Sequence, residues 1–295
     1  MKQLAIGLYL LVTGFLLGFA LCQAVYVAPN DAMQGEIFRI IYYHVPSASV
    51  AFVFFFLNLV GSVWYLVPRE KPPVKFWRAI LFCLPVEICI GVLMVIGAFL
   101  VAGAAKRVML NSLTGVGLIW LVLYAGYRLV SWGPARQKEA ADALAVASAE
   151  VGVVFCTVVL TTGPIWGRRA WGIWWTWDAR LTTTLVLWLI YMSYLLLRRF
   201  AAGPQMQTLA AVLGIFGALD VPIVYMSNRW WRTQHPAPVF GGAQGSGMDP
   251  SMVGALLWNM LAWFSWGVLI LALRYHVERQ HQKIAAAKVE RALAV

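Results

Sequence analysis

Val50-Ala-Phe-Val-Phe-Phe-Phe-Leu-Asn-Leu-Val-Gly-Ser-Val-Trp-Tyr-Leu-Val67 carries no charge from end to end. Extended back to Pro46, it is long enough for a helix, rising about 1.5 Å per residue, to cross a hydrocarbon layer about 30 Å thick. Runs of the same kind recur along the chain, at about 4 to 27, 46 to 67, 79 to 101, 108 to 130, 143 to 165, 181 to 200, 205 to 227 and 253 to 273. Of the 295 residues 61% are hydrophobic and 12% charged, with a mean hydropathy of +0.74; a soluble domain has about a quarter of its residues charged. The expectation is an all-α polytopic transmembrane bundle of about eight spans, forming one integral membrane domain over 1–295. The first run exceeds a signal-peptide core of roughly 7 to 15 residues and lacks a small-residue cleavage site, so it reads as a retained anchor.

The net charge is +11. In a soluble chain that would suggest nucleic acid, but these cations sit in short loops between apolar runs, where they report membrane orientation. With the N-terminus inside, 15 of the 23 Lys and Arg fall on the inner side. Both termini are therefore expected to be cytoplasmic. The outer minority is Arg39, Lys106, Arg107, Arg168, Arg169, Arg180, Arg229 and Arg232. Most of these lie near tryptophan or histidine, which singles out three outer segments: 28–45, 164–180 and 228–252. The four cysteines, Cys22, Cys83, Cys89 and Cys156, all lie in apolar runs without a Cys-x-x-Cys pair, so they read as small buried hydrophobes and not as a disulfide scaffold.

The segment Trp166-Gly-Arg168-Arg169-Ala-Trp171-Gly-Ile-Trp174-Trp175-Thr-Trp177-Asp178-Ala-Arg180 holds five of the fifteen tryptophans. An interfacial aromatic belt explains a single indole at a helix end. It gives no reason for two glycines and three arginines among five indoles. A flat, apolar, anionic ligand does: indoles stack on a macrocycle, glycine permits close approach, and guanidinium pairs with carboxylate. Asp178, ahead of Ala-Arg-Leu-Thr, reads first as a helix N-cap.

Only four histidines occur. His276 and His281 lie in the basic C-terminal tail and read as solvated. His44, two residues before Pro46, is expected at the outer mouth of the second span, since proline favours a first helical turn. His235 follows Trp230-Trp231-Arg232-Thr-Gln in another outer segment. No histidine is expected inside a span. Two neutral imidazoles could take both axial positions of a haem iron, with Arg39, Arg168, Arg169, Arg229 or Arg232 meeting the propionates. Zinc would want three or four ligands.

Trp171-Gly-Ile-Trp174-Trp175-Thr-Trp177-Asp178-Ala-Arg180-Leu-Thr, with Arg39-Ile-Ile-Tyr-Tyr-His44-Val-Pro46 upstream and Trp230-Trp231-Arg232-Thr-Gln-His235 downstream, resembles the haem exporter protein C (CcmC) branch of the tryptophan-rich WWD family of cytochrome c biogenesis proteins. The likeness implies a haem-handling subunit of the bacterial inner membrane. Haem b would be held at the periplasmic face between His44 and His235, over Trp166, Trp171, Trp174, Trp175, Trp177, Asp178 and Arg180. It also implies transfer to a periplasmic haem chaperone (CcmE-like), beside a small single-span subunit (CcmD-like) and an ATP-binding cassette complex (CcmA/CcmB-like). Members of this branch have six spans; the two additional ones here form a hairpin over 79–130 that preserves orientation.

The leading function is thus presentation of haem, with no side chain acting as acid or base. A haem lyase or synthase acting on apocytochrome c is the alternative, though the branch that resembles it carries Pro-Lys after the Asp where this chain has Ala179-Arg180. A transporter is a third reading, for which Glu87, Glu150 and Asp220 are the intramembrane ionisable groups to watch. No phosphate-binding Gly-x-x-x-x-Gly-Lys-Ser/Thr loop occurs, so any ATP use belongs to a partner.

Overall fold

The structure is a computed structural model that describes residues 2–67, 134–201, 203, 205–236 and 248–293. The expected spans at 79–101 and 108–130, with Glu87, Cys83, Cys89, Lys106 and Arg107, lie outside the described residues. The chain divides into two compact units, one of residues 1–66 and 141–295 and one of 67–140.

The described elements are helical: α1 (Lys2–Cys22), a π-turn (Gln23–Val27), a 3-10 turn (Glu36–Ile40), α2 (Ile41–Leu66), α3 (Pro134–Ala170), α4 (Ala179–Phe200), α5 (Met206–Trp230) and α6 (Pro250–Leu293). Six of these stretches are long and apolar enough to cross a membrane. They coincide with six of the eight expected spans, though the ends differ. Helix α3 has 37 residues and α6 has 44, about 55 and 66 Å of helix, well beyond a hydrocarbon thickness of about 30 Å. Polar sequence therefore continues both helices outside the apolar stretch. At its C-terminal end α3 runs through Pro164 to Ala170, so the expected outer segment 164–180 is a loop only over 171–178. Pro46 sits in the second turn of α2 and not the first. Accordingly His44 lies inside the helix that begins at Ile41, which corrects the expectation that no histidine falls within a span.

In the larger unit helix α2 is central, packed against both α5 and α6; α4 packs on α5, and α1 on α6. One core cluster joins Val50, Phe54 and Phe55 of α2 to Val151 and Phe155 of α3, Leu187 and Tyr191 of α4, and Val224 of α5. The Phe55 and Tyr191 rings stack with centroids 3.9 Å apart. Small residues set the approach of the helices: a Cβ on Gly152 would fall 2.5 Å from the Phe55 ring, and one on Gly214 would fall 2.5 Å from Asn58 Oδ1. Where lipid replaces water, such close backbone packing, together with polar bonds such as Asn58 Nδ2 to the Ala145 carbonyl (2.8 Å), holds helices together. Leu4, Leu8, Leu11 and Phe15 of α1 are exposed apolar groups, the surface expected of a helix that faces acyl chains.

One end of the larger unit is charged. Arg198 of α4 bonds both oxygens of Asp142 of α3, at 2.5 and 3.1 Å, and approaches Glu278 of α6 at 3.6 Å. Arg274 of α6 pairs with Glu150 of α3. Glu150 is thus compensated. Asp220 is buried, and its Oδ2 has no hydrogen-bond partner among the described residues.

Candidate functional site

Twenty residues of α3 separate the charged end from the opposite one, where His44 and His235 meet. The first turn of α2 supplies His44, and the loop after α5 supplies His235. Their ring centroids are 6.4 Å apart and their planes inclined by 33°. Two rings bonded through nitrogen to one metal at about 2.0 Å have centres about 6 Å apart, so the spacing leaves room for a metal between them.

Each ring has a hydrogen-bond partner at Nδ1. His44 Nδ1 lies 2.9 Å from Thr162 Oγ1 of α3. That hydroxyl also lies 2.7 Å from the Val158 carbonyl; with its proton on that carbonyl it accepts from His44 Nδ1. His235 Nδ1 lies 2.9 Å from the Pro236 carbonyl, which can only accept. The neutral His235 ring therefore keeps Nε2 as a lone-pair nitrogen, the state in which imidazole binds a metal, and His44 has its Nδ1 engaged in the same way on the far side of the ring from Nε2. Burial first, then the nearby Arg180 charge, pushes the His235 imidazolium down to about 4, against the Pro236 bond and the Asp178 charge. The ring is neutral at physiological pH.

Asp178 is the expected N-cap: its Oδ1 accepts the Leu181 N–H of α4 at 2.9 Å. Its Oδ2 accepts the Thr233 hydroxyl at 2.7 Å, and Thr233 Oγ1 in turn accepts the His235 backbone N–H at 3.0 Å. The start of α4 thereby holds the histidine loop. Arg180 braces the same corner through Nη1, which donates to the Val224 and Tyr225 carbonyls and to Asn228 Oδ1, at 2.8, 3.1 and 2.7 Å. An open cleft of about 450 Å³ is lined by Thr176, Trp177, Asp178, Arg232, Thr233 and Gln234.

The tryptophans divide into two sets. Trp166 donates Nε1 to Gln34 Oε1 at 2.7 Å, tying α3 to the segment before α2. Trp171 packs edge-on against it, with centroids 4.9 Å apart. The chain turns back at Gly172, whose φ of 79° suits glycine. A Cβ on Gly167 would press on the Trp171 ring at 3.2 Å. Trp174 and Trp177, by contrast, are 60% and 75% exposed. Trp175 stands edge-on to Trp177, and its buried Nε1, like Thr176 Oγ1, has no partner among the described residues.

Of the other arginines, Arg39 turns toward the end of α1, bonding the Ala24 carbonyl (2.6 Å) and Asn30 Oδ1 (2.8 Å). Arg168 bonds the Gly172 carbonyl. Arg229 lies over the Tyr225 ring, 5.4 Å from its centroid. Arg169 is exposed, and Arg232 is exposed at the cleft. The structure thus brings His44, His235, Trp177, Asp178, Arg180 and Arg232 to one corner, and the Trp166–Trp171 pair to an adjoining one. His276 and His281 lie exposed on the far part of α6. Thr162, Asn228 and Gln34 drew no notice in the sequence. Thr233 was visible only as a member of the Trp-Trp-Arg-Thr-Gln-His run.

Fold and site define a helical membrane protein with a two-imidazole, tryptophan-lined corner at one end of its bundle. The family described as Heme exporter protein C matches residues 115–290, and the chain belongs to it. The heme exporter protein C of Bradyrhizobium diazoefficiens is 35% identical over 192 residues, covering 63% of this chain and 70% of that one. That of Escherichia coli K12 is 31% identical over 164 residues, 53% and 64% of the two chains. That of Paracoccus denitrificans is 26% identical over 277 residues, 93% and 84%. The chain thus spans between about two thirds and five sixths of these relatives' lengths.

Proposed function

We propose that this protein presents haem in cytochrome c biogenesis, holding it as cargo at the end of the bundle that carries the histidines. The observation that carries this is the His44–His235 pair, 6.4 Å between ring centres, with each Nδ1 engaged by a hydrogen-bond partner. Two ligands suffice for a metal whose other four positions are filled by a macrocycle, whereas zinc would need more. Among the described residues no group of three or more His, Cys, Asp and Glu could hold a metal ion. Membership of the heme exporter protein C family supports the cargo.

Bound haem would supply a flat ring with an iron open on both faces and a reactive vinyl edge. The chain's own residues do the rest. His44 and His235 hold the iron, Trp174 and Trp177 offer exposed faces to the ring, and Arg232, with Arg169, offers positive charge to propionates. Asp178 and Arg180 fix the loop that carries His235. Orientation of the cargo, and no side-chain acid or base, is what this corner contributes. On this reading the corner faces the periplasm, both termini face the cytoplasm, and the membrane is the bacterial inner one. A haem chaperone receives the cargo, and the single-span and ATP-binding cassette subunits are partners.

The test is an absorption spectrum of the full chain purified from haem-replete cells. The expected result is a b-type, low-spin, two-histidine spectrum. A protein without haem that also fails to take up added haem overturns the proposal.

A further inference from the structure

Thr162 lies on α3, 118 residues from His44, outside all three segments singled out in the sequence. Its hydroxyl is bound on both sides: it donates to the Val158 carbonyl (2.7 Å), the backbone bond a helical threonine commonly makes, and stands 2.9 Å from His44 Nδ1. The adjoining Gly163 brings backbone against the same ring, since a Cβ there would fall 3.4 Å from His44 Cε1. Thr162 and Gly163 together form a seat for one imidazole. His235 has the Pro236 carbonyl in the corresponding place. The two rings thus differ in the strength and rigidity of their support, a backbone carbonyl for one and a side-chain hydroxyl for the other.

We infer that Thr162 is the positioning residue of His44. In this role its proton goes to the Val158 carbonyl and it accepts the Nδ1 proton of His44, which selects the tautomer with a free Nε2, sets the ring's orientation and raises the basicity of that nitrogen. This rests on the reading of His44 as an iron ligand. Partners of this kind on ligating histidines typically matter about 10- to 100-fold in metal affinity. A threonine that only packed the helix, bonding its own i−4 carbonyl, would have no such effect.

The experiment compares the full-length protein in detergent, loaded with haem, with Thr162→Val, Thr162→Ala, Thr162→Ser and His44→Ala. Haem dissociation, spin state and midpoint potential are measured, with membrane insertion checked for each. Thr162→Val keeps the shape and loses the acceptor; Thr162→Ala loses it without adding an apolar branch, and serves if the valine variant does not insert. Expected are about 10- to 100-fold weaker haem retention, a mixed-spin component and a raised potential in both, with Thr162→Ser close to the parent protein. Wild-type potential and spin state in the valine or alanine variant, alongside a disrupted His44→Ala, overturn the role of Thr162 alone. Serine failing to restore what valine removes also overturns it. An unchanged low-spin spectrum in His44→Ala overturns the ligand reading itself, and this inference with it.

Discussion

The carboxylate of Asp178 holds Thr233: Oδ1 caps α4 at the Leu181 N–H while Oδ2, at the other edge of the group, accepts the Thr233 hydroxyl at 2.7 Å. One side chain thus joins a helix start to the loop that carries His235. Its two functions can be separated. Asp178→Ala removes both, and loss of a cap costs about 1 kcal/mol, so thermal stability and haem retention are both expected to fall. Thr233→Val keeps the cap and releases only the loop. It should leave the melting temperature within a degree or two of the parent while weakening haem binding. Equal loss of stability in the two variants would show that the loop contact is structural and has no bearing on the cargo.

Much of the bundle is legible in composition, because an uncharged helix-length run has one economical fate in lipid. The ends of the helices are not. Nothing apolar marks the continuation of α3 to Ala170 or of α6 to Leu293; the backbone ladder simply propagates through Trp166-Gly-Arg-Arg and through the charged tail. Pro46 misleads in the same way, because the 3-10 turn over Glu36–Ile40 starts the helical path early and leaves proline in the second turn. At the site, Asp178 as a cap follows from its neighbours in the chain, and the two histidines from their rarity. Thr162, Gln34 and Asn228 do not, because their partners lie 118, 132 and 48 residues away. A hydroxyl or amide of ordinary type gains its role only when the fold brings the other residue to it.

His44→Ala and His235→Ala should each abolish the low-spin two-histidine spectrum, and His276→Ala and His281→Ala should leave it intact. The first pair faces each other across 6.4 Å; of the second, both exposed on α6, His276 lies between Arg274 and Glu278 of the charged end and His281 follows them. Absorption and electron paramagnetic resonance spectra of the four proteins decide this. A changed spectrum in either tail variant would contradict the assignment.

Trp174 and Trp177 are the indoles best placed to meet a planar ligand, being 60% and 75% exposed beside the histidine corner. Each Trp→Ala change there should leave thermal stability nearly unchanged. Stacking on one aromatic is worth about 0.5 to 1.5 kcal/mol, so haem affinity should fall by up to about tenfold for each. Trp166→Phe should behave in the opposite way. It removes the bond to Gln34, at a cost of about 1 kcal/mol in stability, and leaves the exposed faces in place. Full haem affinity in a Trp174→Ala/Trp177→Ala double variant would identify these residues as a membrane-interface belt.

The Arg198–Asp142 pair belongs to stability and not to the cargo. Its side chains are 11% and 5% exposed, the guanidinium bonds both carboxylate oxygens, and Gln282 Nε2 adds a third bond to Asp142 at 3.1 Å. Removing one partner of such a pair leaves a buried charge uncompensated, at a cost of about 3 to 5 kcal/mol, whereas replacing both with apolar residues of similar size can be close to neutral. Arg198→Met is therefore expected to lower unfolding stability severely, and Arg198→Met with Asp142→Leu to recover most of the loss. The twenty residues of helix between Asp142 and Thr162 amount to about 30 Å, so the haem spectrum of whatever protein remains folded should not change in either variant. Denaturant titration in detergent measures the first effect and absorption the second. A double variant no more stable than the single one would mean that the Asp142 carboxylate left alone by Arg198→Met costs little, and that its bond from Gln282 of α6 (3.1 Å) is enough to hold it.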